Sequence, residues 1–205
     1  MKYVALIFVM IFGGIFLYFN ALEKSKVQIS LIKAAQSIEG VTIHDLYEQY
    51  PDGLIDVVYE QDALAEHDII LFQHPFYWYS APAMLKEWQD LVLEYGFAYG
   101  ASGNALRGKT LANILSAGGS KNSYSTHGHN QFSILDLLRP FNQTANLCGM
   151  TYLPPFAVHR THDMPEKDIE THAELYRQLL WKLQRDLPSE EALASLRYLN
   201  DWVQS

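Results

Sequence analysis

The sequence predicts an α/β fold, with a parallel β-sheet that is covered by helices on both faces. Continuous apolar runs, typical of strands buried on both faces, alternate along the chain with amphipathic helical segments. There are five segments of each kind, and no internal repeat. The chain has 205 residues, which is a single-domain length, and it contains no linker long enough to separate a second domain.

The first strand is predicted at residues 15–19, the second half of an uncharged segment at residues 3–19. That segment is also just long enough to span a membrane, although a Gly-Gly pair interrupts it. A signal peptide would look similar, but the sequence around Ala21 is a poor cleavage site. We favour the strand, because the sheet would otherwise lose its central element. Residues 1–12 are then an apolar N-terminal extension, with a membrane anchor as the alternative.

A helix is predicted from Lys26 to about Ile38, because Ser25 can cap its start and Gly40 ends the apolar periodicity. The elements that follow are predicted from apolar periodicity and from turn residues. In chain order they are a strand at 41–45, a turn at 50–53, a helical turn at 62–67, a strand at 68–72, a helix at 83–94 and a strand at 109–115.

Prolines shape the prediction for the last third of the chain. The helix at 133–144 is expected to bend near Pro140, since proline lacks the N–H donor. The last strand is predicted at 150–158, where Pro154 and Pro155 limit the residues that can pair. The remaining predicted elements are a long amphipathic helix at 166–185 and a short helix at 190–203.

For five strands in this alternating rhythm we expect the flavodoxin-like sheet, with strand order 2-1-3-4-5 and helices on both faces. The domain is expected to span residues 13–187. Residues 188–205 are expected to form a helical tail.

Composition excludes several classes of protein. Apolar residues make up 49% and charged residues 19% of the chain, which is ordinary for a folded domain and excludes wholesale disorder. The formal net charge of -8, without a basic cluster, argues against a nucleic-acid partner. The lone Cys148 cannot form an internal disulfide, which fits a reducing cytoplasm.

The most informative segment is Gln73–Ser80, which reads QHPFYWYS. It follows a predicted strand, and loops at the carboxyl end of strands are where open α/β sheets bind ligands. A loop built almost wholly of aromatic rings is favourable when it lies against something flat. The segment therefore predicts a wall for a planar cofactor, with an aromatic cluster over the sheet edge as the alternative.

Three loops are expected to converge at that edge of the sheet, at residues 19–25, 74–80 and 116–124. The first leads into a helix N-terminus, where backbone N–H groups and the helix dipole favour an anion such as phosphate. The third contains Gly118 and Gly119, which let the backbone approach a ring closely. Taken singly, these features are also those of an ordinary helix cap and an ordinary turn. Together they suggest a flavin nucleotide.

Long motifs in the sequence resemble the NAD(P)H-quinone oxidoreductase family of flavodoxin-like flavoproteins. They read QHPFYWYSAPAMLKEWQDLVLEYGFAYG, LRGKTLANILSAGGSKNSY and LRPFNQTANLCGMTYLPPFAVH. The branch they resemble best is the KefF and KefG ancillary subunits of glutathione-regulated potassium-efflux systems. The resemblance extends from about Ala21 to about Arg185.

The resemblance implies a flavin-dependent NAD(P)H oxidoreductase that transfers hydride from NAD(P)H to quinone-type acceptors. The implied flavin is FMN, with FAD as the alternative. The implied partners are a second copy of the chain, as a homodimer, and a potassium–proton antiporter that the protein regulates. The implied location is cytoplasmic, with peripheral or N-terminally anchored attachment at the inner face of the cell membrane.

Carried onto this sequence, the resemblance places three groups of residues against the flavin. They are the phosphate-loop residues Ser25, Lys26, Val27 and Gln28, the ring-flanking residues Pro75, Phe76, Tyr77, Trp78 and Tyr79, and the residues at the polar edge of the ring, Ser116, Ala117, Gly118 and Gly119. Tyr124 and His129 are the implied catalytic residues, which would stabilise negative charge on the reduced flavin.

The sequence departs from the family pattern at the phosphate end. Phe19 and Asn20 stand where the family has His-Pro, and Gln28 stands where it has Asn. Phenylalanine cannot donate a hydrogen bond to phosphate, and two imperfect contacts would weaken an anion site by roughly 2–5 kcal/mol. The alternative function is therefore a non-catalytic regulatory subunit of the antiporter, with weakened or lost flavin binding.

Histidines are numerous, and His127, His129, His159 and His162 occur in sequence pairs. Their spacing does not match a helical HxxxH motif, and no cysteine lies near them. We therefore predict no metal site.

Overall fold

The computed structural model describes residues 14–19 and 25–205. The predicted N-terminal extension at 1–12 and the segment that begins at Asn20 lie outside the described residues.

The described chain forms a parallel sheet with helices packed against it, which confirms the predicted α/β class. The strands are β1 Ile15–Phe19, β2 Val41–Asp45, β3 Ile69–Pro75, β4 Thr110–Ala117, β5 Thr151–Tyr152 and β6 Phe156–His159. Their order is β2-β1-β3-β4-β5, and β6 also pairs with β4. The N-terminal strand prediction is confirmed, since β1 pairs in parallel with β2 on one side and with β3 on the other.

The single strand predicted at 150–158 is wrong in its extent. Its two ends pair with β4 as separate segments: Thr151 and Tyr152 lie opposite the start of β4, and β6 lies opposite its end. Between them the Leu153 N–H still donates to the Leu111 carbonyl oxygen at 2.9 Å. Pro154 and Pro155 then interrupt the ladder, because neither has an N–H to donate. Among the described residues, the sheet therefore contains six strand segments instead of the predicted five.

The helices cover both faces of the sheet. They are α1 Lys26–Gln36, α2 Leu46–Gln49, α3 Val57–Glu66, α4 Ala83–Val92, α5 Ile134–Leu137, α6 Arg139–Leu147, α7 Glu166–Leu183, α8 Glu190–Ser195 and α9 Leu199–Val203. Ser25 caps α1 as predicted. α3 is longer than the predicted turn, because Asp56 caps it earlier by accepting from the Tyr59 N–H.

Two predicted helices are each divided. The helix at 133–144 is two helices that meet at Leu138, with Pro140 in the first turn of the second, where its missing donor costs nothing. The helix at 190–203 is α8 and α9, separated by extended backbone at Leu196 and Tyr198.

Alternate residues of β3 divide the core into two layers. Ile69 and Leu71 pack in a cluster with α1 and α7, whereas Ile70 and Phe72 pack in a second cluster with α3, α4 and α6. This is the period-two alternation of a strand with both faces buried. The apolar strand sequences that predicted a two-sided sheet thus supply both layers.

The C-terminal tail packs on the α1 and α7 side. Leu199 is fully buried in that layer, and its N–H donates to the Pro155 carbonyl oxygen at 2.9 Å. The Lys182 ammonium donates to the Trp202 carbonyl oxygen at 2.6 Å. The tail therefore shares a core with the rest of the sheet.

The buried carboxylate of Glu60 links β2 to α3 and α4, which cover the face of the sheet opposite α1 and α7. Glu60 in α3 has no exposed surface. Its Oε1 is 2.7 Å from His44 Nε2 and accepts from the Tyr50 hydroxyl at 2.6 Å, and its Oε2 accepts from Trp88 Nε1 at 2.9 Å. Three partners compensate for the desolvation of one charge.

Within residues 14–19 and 25–205, none of the helices combines the length and the apolar character that a membrane span requires.

Candidate functional site

The N-terminus of α1 forms one end of the site. Ser25 Oγ accepts a hydrogen bond from the Gln28 N–H at 3.2 Å, so the hydroxyl serves as the helix cap. Lys26, the first residue of the helix, is exposed and adds a positive charge beside the first turn. Backbone donors, the helix dipole and this ammonium together favour an anion.

The Gln28 side chain lies inside the protein, only 1% exposed. Its Oε1 accepts from Gln73 Nε2 at 2.8 Å, and its Nε2 donates to Ser116 Oγ at 2.9 Å. The amide thus links α1 to β3 and β4 at the carboxyl edge of the sheet. Val27 and Ala117 are each 1% exposed and belong to the core. These three predicted cofactor residues therefore do not line the cavities described below with their side chains.

The aromatic loop leaves β3 at Pro75. The Phe76 N–H donates to the Ser116 carbonyl oxygen at 2.8 Å, so the loop begins bound to the end of β4. Tyr77–Tyr79 form a short 3-10 turn in which Trp78 and Tyr79 adopt left-handed backbone, with φ of 49° and 63°. That conformation is strained for residues with a Cβ, and such strain clusters at binding sites. Trp78 is 93% exposed.

His74 is fully buried directly before the loop. Its Nδ1 is 3.0 Å from the Pro75 carbonyl oxygen, and its Nε2 is 3.0 Å from Asn113 Nδ2. Burial lowers the pKa of His74 to about 4, with the contact to Pro75 acting in the opposite direction. The imidazole is therefore neutral, with its proton on Nδ1 and its other nitrogen accepting from Asn113. This agrees with the interpretation that His74 orients the loop.

The two glycines after β4 lie tightly against aromatic and imidazole rings. A Cβ on Gly118 would overlap the imidazole of His162, and a Cβ on Gly119 would come within 3.0 Å of the Tyr124 ring. The backbone here is therefore approached closely by the Tyr124 ring from the same loop and by the His162 ring from the segment after β6. Glycine at these positions therefore allows the two rings to pack directly on the backbone.

Two adjoining cavities lie between these parts. The inner cavity, about 370 Å³, is lined by Ser25, Lys26, Pro75, Phe76, Tyr77, Ser116, Gly118, Thr161, His162, Met164 and Ile169. The outer groove, about 420 Å³, is lined by Phe76, Tyr77, Trp78, Tyr79, Gly118, Gly119, Ser123, Tyr124, His129, Asn130 and His162. They share Phe76, Tyr77, Gly118 and His162, so the two cavities adjoin at these residues, with the α1 N-terminus at one side and the aromatic loop at the other.

Tyr124 lies at the inner wall of the outer groove. Its ring is 5.7 Å from the Phe76 ring and nearly perpendicular to it, at 66°. Burial raises the pKa of the Tyr124 hydroxyl, and the nearby Tyr79 raises it further. The hydroxyl therefore keeps its proton at neutral pH and can donate a hydrogen bond. His129 is exposed at the rim, next to Asn130, whose Oδ1 accepts from the Tyr79 hydroxyl at 3.4 Å.

Sequence reasoning missed the contribution of the segment after β6. Thr161, His162, Met164 and Ile169 all line the inner cavity. His162 was considered only as a metal ligand, and the described part of the chain contains no group of three or more His, Cys, Asp or Glu side chains placed to hold a metal ion. No sequence motif marks these residues, since it is the pairing of β6 with β4 that carries them to the site.

Comparisons with known proteins agree with the parallel α/β architecture described above. A sequence model of the family described as Flavodoxin-like fold matches residues 19–180. The chain is 47% identical over 146 residues to the glutathione-regulated potassium-efflux system ancillary protein KefG of Serratia proteamaculans (strain 568), covering 71% of this chain and 80% of that protein.

Two solved structures are similar along most of the chain. General stress protein 14 from Treponema denticola, solved in complex with FMN, has a TM-score of 0.79 and 36% identity, and covers 84% of this chain and 99% of that one. A protein from P. pentosaceus described as an NADPH-quinone reductase has a TM-score of 0.73 and 32% identity, with 84% and 97% coverage.

Proposed function

This chain belongs to the family with a flavodoxin-like fold, and we propose that it is a flavin-dependent NAD(P)H oxidoreductase that reduces quinone-type acceptors. The observation that carries the proposal is the adjoining pair formed by the inner cavity and the outer groove. One end offers an anion site at a helix N-terminus, and the other offers aromatic rings facing a glycine backbone. A nucleotide with a phosphate at one end and a planar ring at the other has this distribution of chemistry.

The residues present fit FMN. Ser25 and Lys26 would hold the phosphate through the first turn of α1. Phe76 and Tyr77 would face the ring on one side, with the backbone of Gly118 and Gly119 on the other. Similarity to a protein solved with FMN supports FMN as the flavin. FAD stays the alternative, since the groove is open at its outer end.

A flavin supplies the hydride chemistry, accepting from NAD(P)H and passing reducing equivalents to a quinone. The residues of the chain itself would orient the bound molecules and stabilise negative charge in the groove. Tyr124 holds its proton on the hydroxyl oxygen and would donate a hydrogen bond towards negative charge in the groove. His129 would be a second donor at the rim. The exposed ring of Trp78 would cover the substrate that enters from the open side.

Flavin retention and turnover by the full chain test the proposal. Protein incubated with FMN and then desalted is expected to keep the visible absorption of bound flavin, and to oxidise NADH or NADPH faster when a soluble quinone is added. Parallel loading with FAD decides between the two flavins. Protein that stays colourless and shows no quinone-dependent oxidation of either nicotinamide would contradict the proposal.

A second candidate function is regulation of a potassium–proton antiporter, with or without turnover. The 47% identity to an ancillary protein of a potassium-efflux system supports it. The Phe19-Asn20 departure supports a member in which binding to the antiporter matters more than catalysis. Transport should then be activated equally by the wild type and by Tyr124→Phe, and the chain should co-purify with the antiporter. Loss of activation in parallel with loss of turnover would show that activation requires catalysis, whereas a wild type that neither activates transport nor co-purifies with the antiporter would contradict this second function.

Architecture, assembly and location complete the proposal. β5 and β6 would act together as the fifth strand of the order 2-1-3-4-5, since both pair with β4.

The exposed Trp78 supports a homodimer that covers the outer groove. The proposed location is the cytoplasm, at the inner face of the membrane, where residues 1–12 would be the attachment point. A variant that starts at residue 13 should then leave the membrane fraction.

A further inference from the structure

Four residues line both the inner cavity and the outer groove: Phe76, Tyr77, Gly118 and His162. A molecule that reaches from the α1 N-terminus to the aromatic loop must therefore pass beside them. Phe76 has an apolar side chain and Gly118 has none, so the polar side-chain atoms at this junction belong to Tyr77 and His162. Tyr77 is part of the aromatic loop itself, whereas His162 comes from a separate part of the chain.

The fold brings His162 to the junction from the segment after β6. β6 pairs in parallel with the end of β4. The Arg160 N–H then donates to the Gly119 carbonyl oxygen at 3.1 Å, and the left-handed backbone of Arg160, with φ of 59°, leads into the 3-10 turn Thr161–Asp163. The turn that carries His162 is therefore tied directly to the glycine pair.

The imidazole of His162 packs on the backbone of Gly118. A Cβ at Gly118 would overlap the Nε2 edge of the ring, so the ring occupies the space that a side chain at this position would take. Glycine thus allows the imidazole to form part of the wall that the two cavities share.

The chemistry of an imidazole suits a ligand that carries hydroxyl groups. His162 is exposed, so its side chain is accessible to a molecule in the site. A neutral imidazole has one N–H that donates and one nitrogen that accepts, and a hydroxyl group can use both. At the junction His162 can therefore bind a polyhydroxyl chain in either direction of hydrogen bonding.

The charges around the two cavities decide which part of a nucleotide reaches His162. Among the described residues, Lys26 is the one lysine or arginine that lines the inner cavity, and neither lining contains a carboxylate. The phosphate is therefore expected beside Lys26 at the α1 N-terminus, and the planar ring at the aromatic loop. In a flavin nucleotide the part between them is the ribityl chain, which carries hydroxyl groups.

We propose that His162 binds the ribityl hydroxyl groups of the flavin at the junction of the two cavities, and that it thereby selects flavins that carry this chain. The contact depends on the proposed function, since it concerns the same nucleotide. It gives His162 a role separate from those of Lys26 at the phosphate and of Tyr124 beside the ring.

Three flavins of increasing length test this assignment with the full chain. Lumiflavin is the ring with a methyl group, riboflavin adds the ribityl chain, and FMN adds the phosphate. Fluorescence titration measures the dissociation constant of each. His162→Leu is expected to weaken riboflavin and FMN by the same factor, roughly threefold to tenfold, as suits the loss of one hydrogen bond. Lumiflavin should bind the wild type and this variant alike.

Two further variants separate hydrogen bonding from packing. His162→Gln keeps an N–H donor and an oxygen acceptor, so it should bind riboflavin more tightly than His162→Leu does. His127→Leu removes an exposed histidine that lines neither cavity, and it should bind all three flavins as the wild type does.

The assignment is overturned if His162→Leu binds riboflavin and FMN as tightly as His127→Leu. An equal loss for all three flavins also overturns it, because His162 would then support the ring or the fold. A loss confined to FMN overturns it too, because the imidazole would then act at the phosphate. Wild-type protein that binds none of the three would instead contradict the proposed function, and this contact with it.

Discussion

The Gln28 side chain donates a hydrogen bond to the Ser116 hydroxyl at 2.9 Å, although 88 positions separate the two residues in the chain. This bond joins the first turn of α1 to the end of β4, so it sets the distance between the anion end and the glycine end of the candidate site. The same amide accepts from Gln73 in β3. The geometry of the site therefore depends on one buried glutamine.

Gln28→Ala is expected to destabilise the fold by about 2–4 kcal/mol, because it leaves the buried groups of Gln73 and Ser116 without their partner. Urea unfolding measures this change. Gln36→Ala, an exposed change at the end of the same helix, is the control and should stay within about 0.5 kcal/mol of wild type. Equal effects of the two substitutions would show that the buried bonds contribute nothing.

Glu60→Gln is expected to reduce stability at pH 7 by about 2–4 kcal/mol, because three donors face the carboxylate. Burial tends to raise the Glu60 pKa, but the contacts from His44, Tyr50 and Trp88 outweigh it and lower the pKa below 4.5. A lowered folded-state pKa contributes stability above the unfolded value, and that contribution is lost as the pH falls through the folded value.

The stability gap between wild type and Glu60→Gln should therefore be largest near neutral pH and shrink below pH 4.5. Urea unfolding across this range measures it, with Glu66→Gln at the exposed end of α3 as the control. A difference in unfolding free energy that stays constant down to the lowest pH measured would contradict the lowered pKa of Glu60.

Trp78→Gly is expected to keep or raise stability, by up to about 1 kcal/mol, because glycine adopts the left-handed backbone without strain. Little burial is lost, since Trp78 is 93% exposed. The same change should weaken FMN retention. Tyr77→Gly, where the backbone is right-handed, should instead lower stability by about 0.5–1 kcal/mol. Thermal unfolding with and without FMN separates these effects.

Lys26→Met is expected to weaken FMN binding roughly twofold to fivefold, as suits one exposed charge beside a phosphate. Lys33→Met, in the last turn of the same helix, is the matched control. Riboflavin, which lacks the phosphate, should bind both variants and wild type alike. Fluorescence titration measures all of these affinities, and an equal loss for riboflavin would place the Lys26 ammonium away from the phosphate.

Tyr124→Phe is expected to lower quinone-dependent NAD(P)H oxidation roughly tenfold to hundredfold, because a hydrogen bond to a charged group contributes about 1.5–3 kcal/mol. FMN should bind as in wild type, since the ring that contacts Phe76 is kept. Tyr59→Phe, a half-exposed tyrosine on α3, is the control. Unchanged steady-state turnover would remove Tyr124 from the catalytic residues.

Local patterns predicted most elements well. β2 and the start of α1 match their predicted positions, because Ser25 and the turn residues before Val41 act on their immediate neighbours. The meeting of the aromatic loop with the glycine pair was also predictable, since parallel strands end at the same edge of a sheet. It was harder to predict which helices and strands are divided in two. In the strand at 150–158, for example, the prolines indicate where pairing can fail, but the contacts with β4 decide which residues still pair.

Local sequence patterns were enough to predict the alternation of strands and helices along the chain, a core on both faces of the sheet, and the presence of an aromatic loop, a glycine pair and a capped helix N-terminus. These follow from the period of apolar residues and from caps and turns, which act over a few positions. The sequence patterns did not predict that Gln28 turns inward to Ser116, that His162 packs on Gly118, or that His159 and His172 line one cavity. Those contacts join residues distant in the chain, and their directions depend on how sheet and helices pack together.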